Sequence, residues 1–245
     1  MQNRNPIVFN QLKIVVKYLK FFHNIMGGKA PHPSQLAVAE SIPPALQYFE
    51  DELKKTLPIL EQCNTRDYER ISDLSLEVFR LLRRYTLNVE TLYFIWHEMW
   101  GTYLTQKTFK TIDRPIFEEA FACGHMEAIM NKIFDLILRF NSLPRKKIIH
   151  KKELDCINTQ VENFSKVSKK MSSYINVLET LDVYKPETMT TCLIDVGVRI
   201  GDYCCELETI RDAVEVVAEE YRLKDKNLKR WPKKFRYKLE TNLSN

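Results

Sequence analysis

Apolar residues recur along this chain at alternating steps of four and three, which is the period of one face of an α-helix. The longest run lies in the last third of the chain and keeps this rhythm without a slip. Its ten positions are Met189, Leu193, Val196, Ile200, Tyr203, Leu207, Ile210, Val214, Val217 and Tyr221. A sustained heptad of this kind is typical of a coiled coil and predicts one continuous helix, about 48 Å long at about 1.5 Å per residue.

A second stripe with the same spacing precedes the first, and the short turn sequence YKPE separates them. Its positions are Leu154, Ile157, Val161, Phe164, Val167, Met171, Tyr174, Leu178 and Leu181. Two long helices joined by a short turn pack as antiparallel neighbours, so we predict a helical hairpin. The heptad stripe could instead pair with a second chain. Gly197 and Gly201 flank it, and they either permit a close helix crossing or cost about 1 kcal/mol each relative to Ala.

The first 144 residues predict a bundle of about six shorter helices, divided by proline and by polar capping residues. We interpret Pro43 and Pro44 as a break between two helices. Asn64 or Thr65 is the predicted N-cap of a helix through residue 85, and Asn88 is the predicted N-cap of the next. The predicted ranges are 6–26, 44–60, 65–85, 88–103, 113–124 and 126–140, with a further short helix over 34–41.

Composition agrees with an all-α fold. Six glycines and ten prolines in 245 residues are too few for the many turns of a sandwich or barrel. We therefore predict a multi-helix bundle over residues 1–144, a long C-terminal antiparallel helical hairpin over 145–223 that packs on it, and a basic, aromatic tail over 224–245. The hairpin and the bundle could then form one domain.

The net charge of +5 is concentrated at one end of the sequence. Residues 222–245 carry nine basic and two acidic side chains, whereas residues 145–221 carry 11 basic and 14 acidic ones. The basic character therefore describes the tail and not a field over the whole surface.

Two basic clusters are the candidate binding sites. The first contains Arg145, Lys146 and Lys147 and lies between predicted helices. The second contains Lys229, Arg230, Trp231, Lys233, Lys234, Phe235, Arg236, Tyr237 and Lys238. Cations neutralise phosphates and aromatic rings stack on exposed bases, so both clusters suit RNA or DNA.

The tail suits other partners as well. An acidic protein surface and an anionic membrane are two of them, and the acid-rich helix that precedes the tail in the same chain is a third. Trp231, Phe235, Leu239 and Leu243 are four residues apart, as on one face of a short docking helix. The sequence leaves these alternatives open.

No catalytic constellation is recognisable. His97 and Glu98 resemble the start of a zinc-protease motif, but Gly101 stands where the second histidine is required. The six cysteines form no CxxC pair and are interpreted as reduced thiols, and no glycine-rich phosphate loop is present. We therefore expect no enzyme, no metal and no cofactor, although a site formed across helices would escape a sequence motif.

The function that we expect is that of a non-enzymatic helical adaptor, or a subunit of an intracellular complex, which binds protein partners through its helical faces and its basic tail. The alternative is a nucleic-acid-binding helical protein that uses the tail. No secretory signal and no apolar run of about 18–20 residues is found, so a cytoplasmic or nuclear location is expected. Association with a second copy of the chain remains open.

Overall fold

The structure is a computed structural model that describes residues 10–114, 124–143 and 147–224. Within these ranges it contains six α-helices and no strand, which confirms the all-α prediction. The helices are α1 (Asn10–Ile25), α2 (Pro33–Glu61), α3 (Tyr68–Thr105), α4 (Gly124–Ser142), α5 (Lys151–Thr180) and α6 (Pro186–Lys224). None of these helices has both the length and the apolar content that crossing a membrane requires.

The two longest helices, α3 with 38 residues and α6 with 39, lie side by side and run in opposite directions. Near one end, Trp96 Nε1 donates to the carbonyl of Leu193 at 2.9 Å. Near the other end, Ser72 Oγ donates to the carbonyl of Ala218, also at 2.9 Å. The contacts therefore extend over most of both helices, and α3 is the main neighbour of α6.

The heptad stripe of α6 is buried at all ten predicted positions. It is covered on two sides: the ring of Tyr203 lies 4.4 Å from that of Phe164 on α5, and its hydroxyl lies 3.5 Å from that of Tyr85 on α3. Cys192 also donates to the carbonyl of Tyr174, so residue numbers on α5 and α6 run in opposite directions along their contact. The sequence pointed to α5 as the partner of this stripe and did not identify α3.

One predicted break is wrong, because α2 runs from Pro33 to Glu61 with Pro43, Pro44 and Pro58 inside it. An interior proline costs roughly 3 kcal/mol, through its missing N–H and the clash of its ring. Burial of each large apolar side chain contributes roughly 1.5–3 kcal/mol in the opposite direction. The buried apolar residues of α2 are Ala39, Ile42, Leu46, Phe49, Leu53, Leu57 and Leu60.

The predicted boundary between residues 85 and 88 is also wrong, since α3 continues through it. Asn88 is not a cap: its Nδ2 donates to the carbonyl of Arg84 at 2.8 Å, so its side chain is satisfied inside the helix. The N-cap is Asp67, whose carboxylate accepts from Arg70 N at 3.2 Å, and not Asn64 or Thr65. The described part of residues 1–144 thus holds four helices where about six were predicted, and most of the predicted helix over 113–124 lies outside the described residues.

The non-helical segment 107–114 is hydrogen-bonded to the turn between α5 and α6. Tyr184 Oη donates to the carbonyl of Ile112 at 2.7 Å and accepts from its N–H at 3.2 Å. Arg114 Nη2 donates to the carbonyls of Leu178 and Leu181, each at 2.7 Å. Its guanidinium satisfies carbonyls that have no partner inside α5, so it caps the C-terminal end of that helix.

Candidate interaction surface

Most residues of the two predicted basic clusters lie outside the described part of the chain. This holds for Arg145, Lys146, Lys229, Arg230, Trp231, Lys233, Lys234, Phe235, Arg236, Tyr237 and Lys238. Lys147 is described and is exposed. Both clusters therefore remain predictions.

The structure does show from which end of the bundle the tail continues. Tyr221 Oη donates to the carbonyl of Phe140 at 3.0 Å, so the C-terminal ends of α6 and α4 are in contact. In the last turn of α4, Asn141 exchanges two hydrogen bonds with the backbone of Ile149, which lies beyond the helix, at 2.6 and 3.0 Å. Lys147 and the start of the tail therefore lie at the same end of the bundle.

Towards the other end, aromatic rings follow α3 where it meets α6. Tyr93 contacts Phe94 and His97, with ring centroids 5.5 and 6.1 Å apart, and His97 contacts Trp100 at 4.9 Å. Tyr93 also lies against Gly201 of α6, where an added Cβ would be 3.4 Å from Tyr93 Cε2. The row of rings therefore borders directly on α6.

Large apolar side chains are exposed on both sides of this contact. Phe94 is 60% exposed and Leu87, two helical turns earlier on the same face of α3, is 48% exposed. On α6, Val198 and Ile194 precede Gly201 by three and seven residues, which places them on its face of the helix, and they are 41% and 37% exposed. We call Leu87, Tyr93, Phe94, Ile194 and Val198 the α3–α6 patch.

Two glycines permit the close approach of α6 to α3 beside this patch. A Cβ at Gly197 would lie 3.2 Å from Cδ1 of Trp96, which is closer than an ordinary van der Waals contact. The same Trp96 side chain reaches the backbone of α6 with its hydrogen bond to Leu193. The sequence left open whether these glycines permit a close helix crossing or only weaken the helix, and the structure supports the close crossing.

The helix segments that carry the patch are anionic. Residues 86–100 and 191–208 contain six carboxylates and one guanidinium. The acids are Glu90, Glu98, Asp195, Asp202, Glu206 and Glu208, and the base is Arg199, which pairs with Asp202 at 2.6 Å. Burial, with the neighbouring Asp202 as a second cause, raises the pKa of Glu206 to about 7, so this carboxyl is only partly ionised at neutral pH.

The parts of the same two helices that lie towards the start of the tail are balanced in charge. Residues 68–85 and 209–224 together contain seven acidic and seven basic side chains. Several are paired with each other, as Arg211 is with Asp212 and Arg222 with Glu219, and Arg211 also pairs with Glu208 at the end of the patch segment. Apart from Glu187 in the first turn of α6, the excess negative charge of the α3–α6 pair is therefore in the segments that carry the patch.

A second feature, which the sequence did not single out, is a buried acid between α2, α3 and α6. The side chain of Glu50 is fully buried, and its Oε1 accepts from Tyr85 Oη at 3.3 Å. Its Oε2 has no hydrogen-bond partner among the described residues. Burial raises the pKa of Glu50 to about 8, which leaves the carboxyl mostly protonated at pH 7. The sequence contains one sign of this burial: Glu50 stands four residues after Leu46 and three before Leu53, which places it on an apolar face of the helix.

Cysteines and acids do not assemble into a metal site in the described part of the chain, where no group of three or more potential ligands is found. Cys204 is buried and Cys205 exposed, so these adjacent thiols do face different surroundings. Burial raises the pKa of Cys204 to about 12, which keeps this thiol protonated.

Compared with known proteins, the chain matches no family model, no curated protein and no solved structure.

Proposed function

We propose that the protein is a non-enzymatic helical adaptor, and that the α3–α6 patch binds an amphipathic helix of its partner. The observation that carries this proposal is the exposure of Leu87, Phe94, Ile194 and Val198 on two adjacent helices. Exposed large apolar side chains grouped on adjacent helices are a common mark of a protein interaction site. A groove between two helices accepts apolar side chains at positions i, i+3 or i+4, and i+7 of a third.

The charge of the surface specifies the chemistry of the partner. Glu90 and Glu98 on α3 and Asp195 on α6 belong to the same helix segments as the patch. A helix with lysine or arginine beside its apolar face would place cations against these carboxylates. Such rim charges mainly raise the association rate, and salt weakens them. We therefore propose a basic amphipathic helix as the ligand.

The position of the buried acid also favours an adaptor over an enzyme. Glu50 is fully buried and its hydrogen bond comes from Tyr85, a fully buried core residue. A carboxyl in this setting is part of the packing between α2 and α3. The nucleic-acid alternative depends on the tail and on Arg145–Lys147, and its support is the sequence alone. A cytoplasmic or nuclear location belongs to the same proposal.

The test uses two synthetic 18-residue helical peptides with leucine at one face and either lysine or glutamate elsewhere. Binding to the full-length chain is followed by fluorescence anisotropy. We expect the lysine peptide to bind, and Phe94→Ser to weaken it at least tenfold. Tyr48→Ser is the matched control, because Tyr48 is 56% exposed on α2, outside the patch. Equal binding to all three chains, or preference for the glutamate peptide, would contradict the proposal.

A further inference from the structure

We propose that the part of the basic tail beyond α6, residues 225–245, docks on the α3–α6 patch of the same molecule and competes there with an external helix. This inference rests on the proposed function, since it names a second occupant for the same surface. It gives the adaptor a built-in competitor whose release would expose the binding site.

The chemistry of the tail matches the chemistry of the patch. Residues 225–245 carry seven basic and two acidic side chains, while the segments that bear the patch carry six acidic side chains and one basic one. The tail also has large apolar residues at intervals of four, namely Trp231, Phe235, Leu239 and Leu243. It is therefore the kind of basic amphipathic segment that the patch suits.

The distance along α6 is within the reach of the tail. Val198 precedes the last residue of α6, Lys224, by 26 residues, which corresponds to about 39 Å. A chain spans about 3.3 Å per residue when extended and about 1.5 Å per residue when helical. With residues 225–231 extended and the rest of the tail helical, Leu239 would reach about 35 Å from Lys224 and Leu243 about 41 Å. The C-terminal part of the tail, with Leu239 and Leu243, can thus contact the patch of its own chain. A segment tethered this closely has a millimolar effective concentration, which favours it over the tail of a second molecule.

Charge selects the patch over the nearer surface of the same helices. The parts of α3 and α6 next to the start of the tail, residues 68–85 and 209–224, have no net charge. Val216 and Leu223 are exposed there. Asp212 and Glu219, which flank Val216 on α6, are each paired with an arginine of the same helix and are less available to a cationic segment. The anionic excess lies farther along the helix pair, and the inference places the tail there.

Zero-length carbodiimide cross-linking of the full-length chain tests this placement, because it joins only lysines and carboxylates that are in contact. An equal mixture of ordinary and ¹⁵N-labelled chain separates links within a molecule from links between molecules. We expect links within one chain from Lys233, Lys234 or Lys238 to the acids of residues 86–100 and 191–208. Phe94→Ser should remove them and Tyr48→Ser should not.

Three results would overturn the inference: links mainly to the acids of residues 209–224, links mainly between labelled and unlabelled chains, or no link from the tail at all. The second of these would point to a second copy as the occupant.

A second arm separates this inference from the proposed function. In the full-length triple variant Lys233→Glu, Lys234→Glu, Arg236→Glu, the tail should leave the patch. We expect the lysine peptide to bind this variant at least tenfold more tightly than it binds the unaltered chain. Equal and measurable binding to both chains would refute the competing tail and leave the adaptor proposal intact. Absence of binding to either chain would refute both.

Discussion

Replacing Glu50 with glutamine should stabilise the protein at neutral pH. The pKa of this carboxyl rises from its ordinary value of 4.5 to about 8 on folding, because burial disfavours the charged form. Between these two pH values the folded chain holds a proton that the unfolded chain has released. Stability therefore falls as the pH rises through this window, by about 1.4 kcal/mol per pH unit.

The magnitude at pH 7 follows from this slope. From pH 4.5 to pH 7 the buried carboxyl lowers the free energy of unfolding by about 3 kcal/mol, and the loss stops near the folded-state pKa of about 8. Glutamine has nearly the same shape, keeps an oxygen to accept from Tyr85 and does not ionise. Its free energy of unfolding should thus exceed that of the unaltered chain by an amount that grows with pH.

Urea-induced unfolding at pH 5, 6, 7 and 8 measures this difference. Glu52→Gln is the control, since Glu52 lies on the same helix, is partly exposed and pairs with Lys55 at 2.7 Å. Other titrating groups, such as Glu206, occur in every chain compared and cancel in the difference. A Glu50→Gln chain whose stability differs from that of the unaltered chain by the same amount at every pH would refute the reasoning.

Three further substitutions test the packing. Gly197→Ala should lower the free energy of unfolding by about 1–3 kcal/mol, because its Cβ would lie 3.2 Å from Trp96. Gly101 faces open space, so Gly101→Ala should raise the free energy of unfolding by up to about 1 kcal/mol through helix propensity. Thermal unfolding compares the two, and equal stabilisation would contradict the close crossing. Arg114→Ala should lower the free energy of unfolding by about 2 kcal/mol and speed amide hydrogen exchange at residues 178–185. Unchanged exchange there would contradict the capping role of Arg114. Ser75→Ala should raise the free energy of unfolding by about 1 kcal/mol, as measured in urea. The buried hydroxyl of Ser75 has no hydrogen-bond partner among the described residues and lines a small apolar cavity. A lower free energy of unfolding would show that the hydroxyl is hydrogen-bonded.

Local periodicity predicts those features of this fold that depend on one helix at a time. The stripe from Met189 to Tyr221 lies on a single helix and is buried, as its spacing required. The predicted breaks failed where burial outweighs a local signal, as it does at Pro43 and Pro44 in α2. Asn88 failed for another reason, since its side chain finds a partner within the helix.

The binding surface was harder to foresee, because exposure depends on which faces the neighbouring helices cover. The sequence assigned Leu92, Trp96, Met99 and Tyr103 to one face, and all four are buried. Phe94 lies off that stripe, but only the positions of α2 and α6 show that no described element covers it. The pairing of α3 with α6 is likewise a long-range property, and the glycines at 197 and 201 were its only local sign.

Methyl NMR spectroscopy of the full-length chain tests the central claim most directly, since the patch contains Leu87, Ile194 and Val198. The lysine peptide is titrated into the methyl-labelled triple variant Lys233→Glu, Lys234→Glu, Arg236→Glu, in which the tail should leave the patch. Ile59 on α2 and Val177 on α5 are the controls, because they are 45% and 43% exposed outside the patch. The account predicts shifts at the three patch methyls and none at the controls; shifts confined to the controls, or none at all, would contradict it.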